Sequence, residues 1–305
     1  MTTEIKEALK TICESVSFDE PLSQHTSIRV GGPADALVSP KTIDELQNLL
    51  AWSRKNRLPV FVLGAGSNIL VRDKGLRGLV ISLSRSFGQI RLENDGKDNV
   101  ELYVEAGVGL PRLVDYTKEE GLTGAEVLSG IPGNLGGALM MNAGTKDGDI
   151  SQLVLSVTFL DKEGKLKTWS KEEITYSYRE SHFPKGAVLL SARLKFAKRS
   201  SELIQGKIQE YREYRLETQP LNVPSLGSVF KNPEKKFAGN LIEETGLKNV
   251  RVGGARISPK HGNWIVNEGG ATAKDVLALI GLVRDKVKEK FGVLLETEVR
   301  VVGEE

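Results

Sequence analysis

Two glycine-rich blocks carry the clearest chemical signal in this sequence. The first, VLGAGSNILV at residues 62–71, places Gly64, Ala65, Gly66, Ser67 and Asn68 between two apolar runs. Backbone amides freed by such a turn point into a concavity and take anionic oxygens, and the small side chains let a pyrophosphate come close. No helical pattern follows, because Ile69, Leu70 and Val71 resume a strand, so this is not the dinucleotide fingerprint of a doubly wound fold. Taken alone, a glycine hairpin that holds nothing reads the same way. The second block, SGIPGNLGGALMMNAG at residues 129–144, adds Gly130, Gly133, Gly136, Gly137 and Gly144, with Pro132 setting one turn. Ordering so much glycine is entropically costly. A short helix starting near Ala138 would turn its amino end to the loop as a further anion site. Two such loops in one domain point to a ligand with a diphosphate.

Other chemistries are excluded by what is missing. Cys13 is the only cysteine, which leaves no internal disulfide and no thiolate metal cluster. His25, His182 and His261 lie too far apart for a helix-borne metal motif, and none sits in a hydrolase motif. No metal site is expected. Lys plus Arg number 42 against 40 Asp plus Glu, a net charge of +2, which gives no footprint for nucleic acid or an anionic membrane. No apolar run is long enough to span a bilayer, and the start MTTEIKEALK lacks the basic head and apolar middle of a secretory signal. A cytoplasmic protein is expected. At 305 residues, 39% hydrophobic and 27% charged, the chain suits roughly two globular domains.

The elements that must position the loops follow from periodicity. Ile5, Ala8, Leu9 and Ile12 recur at helical spacing. Thr42 and Glu45 predict a capping box for a helix bearing Ile43, Leu46, Leu49 and Leu50. Strands are predicted over 59–63, 79–83 and 100–106, then a helix from 110 with Pro111 in its first turn and Gly121 as its C-cap. Further strands are predicted over 153–161, 165–169 and 188–196, and a polar stretch at 197–201 marks a boundary. Beyond it come a helix with Ile204 and Ile208, a strand-to-loop segment at 227–232, and a helix closed by Gly246. A long helix capped by Thr272 and a final strand over 293–302 complete the chain. On that strand a two-residue period sets Glu296, Glu298 and Arg300 on one face. The pattern is α+β, with an N-terminal part at 1–198 and a C-terminal lobe at 199–305. Lys260, His261, Asn263 and Asn267 are polar candidates for lining a cleft.

TSIRVGGPA at residues 26–34 and the two glycine blocks, in that order, resemble the FAD-binding domain of the vanillyl-alcohol-oxidase-type superfamily. YSYRES at 176–181, GSVFKNP at 227–233 and LETEVR at 295–300 are similar to the UDP-N-acetylenolpyruvoylglucosamine reductase family within it, in its shorter form. The resemblance spans nearly the whole chain. It implies an α+β, two-subdomain FAD-binding domain of the PCMH type over 1–198, split near residue 84, plus a C-terminal α+β substrate-binding domain over 199–305. The implied activity is NADPH-dependent reduction of the enolpyruvyl ether of UDP-N-acetylglucosamine to UDP-N-acetylmuramate, a step of peptidoglycan precursor synthesis. A monomer is the default. Cys13 precedes the flavin motifs and no histidine lies in the glycine blocks, so noncovalent FAD is expected. By resemblance the FAD contacts are Arg29, Gly64, Ala65, Gly66, Ser67, Asn68, Ile69, Ser129, Gly130, Ile131, Pro132, Gly133, Gly136, Gly137, Ala138, Asn142, Ala143, Gly144 and Arg300.

The resemblance also implies a catalytic trio. Hydride delivery to the vinyl carbon leaves negative charge on the neighbouring carbon and its carboxylate. Arg179 can grip that carboxylate with two parallel hydrogen bonds, though an isolated arginine in a polar segment is usually solvated. Glu298, rather than Glu296, matches the family's glutamate and would help as a protonated donor, against the alternative of a solvated strand face. Ser228 is the proton donor, polarised by a neighbour such as Lys231, against the alternative of a serine bonded to local backbone. Tyr178, Lys231 and Asn232 are the implied substrate contacts. A flavin oxidase acting on a sugar or alcohol leaves GSVFKNP and LETEVR together unexplained. A nonenzymatic nucleotide-sugar binder would not need Arg179, Ser228 and Glu298 at once.

Overall fold

In the computed structural model, which describes residues 1–305, the helical spacing at the N-terminus forms Thr3–Ile12, capped by the Thr2 hydroxyl. Its apolar face buries Leu9 against Ala36, Val38, Leu46, Leu49, Leu79 and Ile81. Full burial of one such leucine is worth about 2 kcal/mol. Helix Ile43–Lys55 begins as predicted at Thr42, whose hydroxyl accepts from Glu45 N at 3.1 Å. The reciprocal half of the box differs. The Glu45 carboxylate accepts from Lys41 N, one residue before the cap, at 2.8 Å.

Contacts divide the chain into two interleaved units: Met1–Phe18, Ala36–Ala65 and Gly78–Tyr214, and then Asp19–Asp35, Gly66–Arg77 and Arg215–Glu305. This differs from the linear division at 198/199. Ile204 and Ile208 of helix Ser201–Thr218 bury themselves in the first unit's core, so that core runs past residue 199. Nor is there a clean break near residue 84, since the core around Leu9 also takes in Ala106, Leu160, Val188 and Leu190.

Within the first unit, Val60–Leu63 pairs in parallel with Leu76–Ser82. Parallel neighbours need a crossover, commonly a helix. Here the connection is the first glycine block, which passes from the first unit to the second after Ala65, and strand Ile69–Val71, which belongs to the second unit. The remaining large sheet is antiparallel, in the order Leu166–Ser170, Val154–Leu160, Val188–Lys198, Asn99–Glu105, Ile90–Asp95. Val100, Leu102 and Val104 alternate inward from it as predicted, under helix Leu110–Glu119. That helix ends one residue before the expected glycine: Glu120 is the C-cap, and Gly121 follows it at φ +65°.

The second unit packs helices Ala238–Glu244 and Ala273–Phe291 around a core with Ile28, Val30 and Leu70 from the early segments. Its sheet runs Ser225–Ser228, Trp264–Asn267, Ala255–Ile257, Arg251–Val252. Thr272 and Asp275 form a full capping box on the long helix. The expected strand over 293–302 is corrected: only Arg300–Val302 is strand, parallel to Ile69–Val71. Glu298 N and Val299 N both donate to Val229 O, at 2.9 and 3.3 Å, so a regular ladder cannot continue through them. No helix is long and apolar enough to cross a membrane.

Candidate active site

Arg179 stands on an unpredicted hairpin. Thr175–Ser177 and Glu180–His182 pair antiparallel with Ser177 opposite Glu180, which leaves Tyr178 and Arg179 as the two turn residues. Arg179 has φ +61°. A left-handed second turn position is one that glycine or asparagine takes without strain. For other L-residues the conformation costs roughly 1–2 kcal/mol. Such strain persists only where surroundings impose it. Here the guanidinium lies over the Tyr178 ring, 5.3 Å from its centroid, and Ser177 O accepts from Asn142 Nδ2 at 3.1 Å. Asn142 is itself left-handed, φ +44°, as the C-cap of helix Leu135–Met141, and its Oδ1 accepts from Ser151 N at 3.3 Å. The second glycine block and the arginine hairpin are thereby one hydrogen-bonded piece.

The helix in that block differs from expectation. It starts at Leu135, not Ala138. Its first amides are already committed, Leu135 N to Val108 O and Gly136 N to Ala106 O, each at 2.8 Å. The amino end as an open anion site is therefore corrected. What does fit a flavin nucleotide is space and an orphan donor. A Cβ on Gly64 or Gly137 would meet nothing within 4 Å, and the buried Ser129 hydroxyl has no partner in the protein. Two more hydroxyls on the hairpin, Tyr176 and Ser181, are also sealed from solvent without a partner. These the sequence did not reveal, because no glycine marks a turn in YSYRES. Burial pushes the Cys13 thiol up to about 12, leaving no ready thiolate, in keeping with noncovalent FAD.

The second unit carries the rest of the predicted residues. In the first block Gly66 is glycine for the protein's own sake: φ is +63° and a Cβ would sit 2.0 Å from His25 O. Ser27 N donates to Gly66 O at 3.1 Å, fixing the turn. Asn68 Nδ2 donates to Glu298 O at 3.1 Å, and Arg300 N donates to Asn68 O at 3.1 Å. Arg29 is left-handed, φ +56°. Asn267 supports that bend, donating from Nδ2 to Ile28 O at 3.0 Å while Oδ1 accepts from Gly269 N and Ala271 N.

Ser228 and Glu298 come together in this unit. Gly227, at φ +72°, lies within an irregular pairing that ends with Ser228 opposite Trp264. The next residue, Val229, receives Glu298 N, and Phe230 bridges to Thr297. Asn263 locks the same stretch, accepting from Phe230 N at 2.9 Å and donating to Phe230 O at 2.8 Å. Glu296, Glu298 and Arg300 do not share a regular strand face. Glu296 projects into solvent and binds Lys231 at 2.7 Å, whereas Glu298 is half-buried. Asn232 Oδ1 accepts from Ala238 N at 3.0 Å, a helix-starting bond the sequence did not suggest. Lys260 Nζ donates to Leu216 O, and His261 Nδ1 accepts from Asn263 N at 3.2 Å, with burial lowering the imidazole pKa.

Residues 34–170 match the family model described as FAD binding domain. Over 65% of this chain and 41% of the other, the fold is shared with alkyldihydroxyacetonephosphate synthase at TM-score 0.50 and 18% identity. The class is an FAD-binding protein of the vanillyl-alcohol-oxidase fold with a separate C-terminal domain. Residues 219–302 match the model for the UDP-N-acetylenolpyruvoylglucosamine reductase C-terminal domain. The reductase of Clostridium tetani is 45% identical over 96% of this chain and 94% of its own length. That of Alkaliphilus oremlandii is 45% identical over 95% and 94% respectively. The crystal structure of the Thermus caldophilus reductase superposes at TM-score 0.81 with 39% identity, covering 94% of this chain and 98% of that one. The chain belongs to the UDP-N-acetylenolpyruvoylglucosamine reductase family.

Proposed function

We propose that the chain reduces the enolpyruvyl group of its UDP-sugar substrate with NADPH, giving UDP-N-acetylmuramate for peptidoglycan precursor synthesis, with roles for named residues as follows. When bound, FAD supplies hydride chemistry between NADPH and the vinyl carbon of the substrate. Negative charge then develops on the adjacent carbon and spreads into its carboxylate. Arg179 grips that carboxylate with a permanently charged, forked donor set. Glu298 donates a hydrogen bond to the charge-bearing oxygen, and Ser228 delivers the proton to carbon. Tyr178, Lys231 and the Nδ2 of Asn232 hold the substrate, since Asn232 Oδ1 is engaged with Ala238 N.

The glycine-loop residues, Arg29 and Arg300 hold the cofactor, Gly64 and Gly137 by leaving room and Gly66 by shaping the turn. One observation above all supports these roles, the left-handed Arg179 held at the tip of a two-residue turn. We take the enzyme as cytoplasmic and monomeric, with the cofactor contacts in 1–198 apart from Arg300 and the substrate contacts in 199–305 apart from Tyr178 and Arg179.

Stopped-flow absorbance of the flavin, with each substrate mixed separately, tests the roles. Reduction by NADPH needs no proton at the sugar carbon, so Ser228→Ala leaves it nearly intact. Reoxidation by the sugar slows on the order of 10²- to 10⁴-fold, the usual cost of losing a positioned general acid. Equal slowing of both steps would reassign Ser228 to binding or folding.

A further inference from the structure

We propose that Asn267 is a positioning residue for cofactor binding: its side-chain amide fixes the left-handed turn that carries Arg29, and so sets how well Arg29 grips FAD. The inference rests on the reading of Arg29 as a cofactor contact given above.

Both residues belong to the second unit. Ile28 and Val30 are buried in its core. Arg29, between them, is exposed and has no ion pair or side-chain hydrogen bond within the protein. Its φ of +56° is one that glycine takes freely and that costs other L-residues about 1–2 kcal/mol. Such a conformation persists only where the surroundings impose it. An arginine here, where glycine would relax the bend, points to a use for the side chain.

Two residues impose the bend. Thr26 closes the turn from within: its carbonyl accepts from Arg29 N at 3.0 Å, and its buried hydroxyl donates to Val30 O at 2.8 Å. Asn267 holds the turn from outside. Its Nδ2 donates to Ile28 O at 3.0 Å and reaches Arg29 O at 3.5 Å, the carbonyls on either side of the strained residue. Successive carbonyls of an extended chain point to opposite sides. One amide can therefore reach both only while Arg29 is folded out of the extended region.

Asn267 is itself anchored. It is buried at the end of strand Trp264–Asn267, and its backbone N donates to Pro224 O at 2.9 Å, beside the head of the strand that carries Ser228. Its Oδ1 accepts from Gly269 N at 2.9 Å and Ala271 N at 3.2 Å. With two donor and two acceptor positions so engaged, the side chain has nothing left for a ligand. Asn267 acts on the cofactor only through Arg29.

Asn267→Asp is nearly isosteric. It keeps the acceptor for Gly269 N and Ala271 N and sets an acceptor where Nδ2 donated. FAD affinity, from flavin absorbance titration of the deflavinated full chain, should fall about 5- to 10-fold. Arg29→Ala should lower it at least as much. Added to Arg29→Ala, Asn267→Asp should cost less than about twofold more, because the arginine it positions is gone. Its effect on the melting temperature without flavin should be the same in both backgrounds. Asn267→Ala, which buries no charge, repeats the comparison should the aspartate variant fail to fold. Unchanged FAD affinity in the Asn267 variants overturns the proposal. Fully additive losses in the double variant also overturn it, since Asn267 would then be structural only. Unchanged affinity in Arg29→Ala would defeat the reading of Arg29 as a cofactor contact, and the proposal with it.

Discussion

Asn142 ties the flavin loop to the catalytic hairpin: its Nδ2 donates to the carbonyl of Ser177, two residues before Arg179, at 3.1 Å. The other unit repeats the device, with Asn68 donating to the carbonyl of Glu298. In each case an asparagine from a glycine block holds the backbone beside a residue assigned to catalysis. Asn142→Gly keeps the left-handed cap available and removes the side-chain tie. Losing a bond worth about 1 kcal/mol should free the strained Arg179 turn and slow sugar-driven flavin reoxidation by about 5- to 10-fold. Circular dichroism should show unchanged helix content; unaltered reoxidation would mean the hairpin holds its shape alone.

Gly66 and Gly137 should respond in opposite ways. Gly66→Val places a branched side chain against His25 O in a left-handed turn, so folding itself should suffer. Gly137→Ala enters open space in a helix, where alanine is favoured by roughly 0.5–1 kcal/mol. That variant should melt at or above wild type without flavin, yet bind FAD at least about tenfold more weakly. Full FAD affinity in Gly137→Ala would show that the space there is not the cofactor's.

The two glutamates of the last segment separate by surroundings. Glu296, 72% exposed, forms a surface ion pair with Lys231, worth about 0–1 kcal/mol at most. Glu296→Gln should therefore leave turnover nearly unchanged. Glu298→Ala should lower kcat on the order of 10²-fold or more. Steady-state kinetics of both variants decide it, and equal losses would contradict the assignment.

Stability should fall on the acid side through His261. Burial, the largest cause, lowers its pKa from 6.5; the Lys248 charge works the same way and Glu243 opposes both. The unfolded chain then binds a proton more readily than the native one, so stability rises with pH in that range. The contribution is complete above about pH 6.5 and is lost as pH falls through the lower native value. Protonation also removes the Nδ1 acceptor used by Asn263 N. Urea melts from about pH 8 to 5 should show the decline in wild type and a flatter profile in His261→Gln. Parallel profiles would assign the acid loss to other groups.

The helices with caps, the alternating strand at Asn99–Glu105 and the order of the motifs are legible in the amino-acid order, because each depends on spacing within a short stretch. Thr272 announced its helix through local hydrogen-bonding chemistry, and Val100, Leu102 and Val104 announced a buried face through a period of two. The rest comes from contacts between segments far apart in the chain. Arg179 occupies a turn that no turn residue marks, held by a bond from Asn142, 35 positions earlier than Ser177. Glu298 stands beside Ser228 because its amide and that of Val299 converge on Val229 O, which breaks the strand its alternation suggested. Interleaved units likewise lay beyond reach, since segments Asp19–Asp35 and Gly66–Arg77 join Arg215–Glu305 through contacts far apart in sequence: burial of Ile28, Val30 and Leu70, pairing of Ile69–Val71 with Arg300–Val302, and the bond from Asn267 to Ile28 O. Local periodicity records which face of an element is apolar; it does not record which distant segment covers that face.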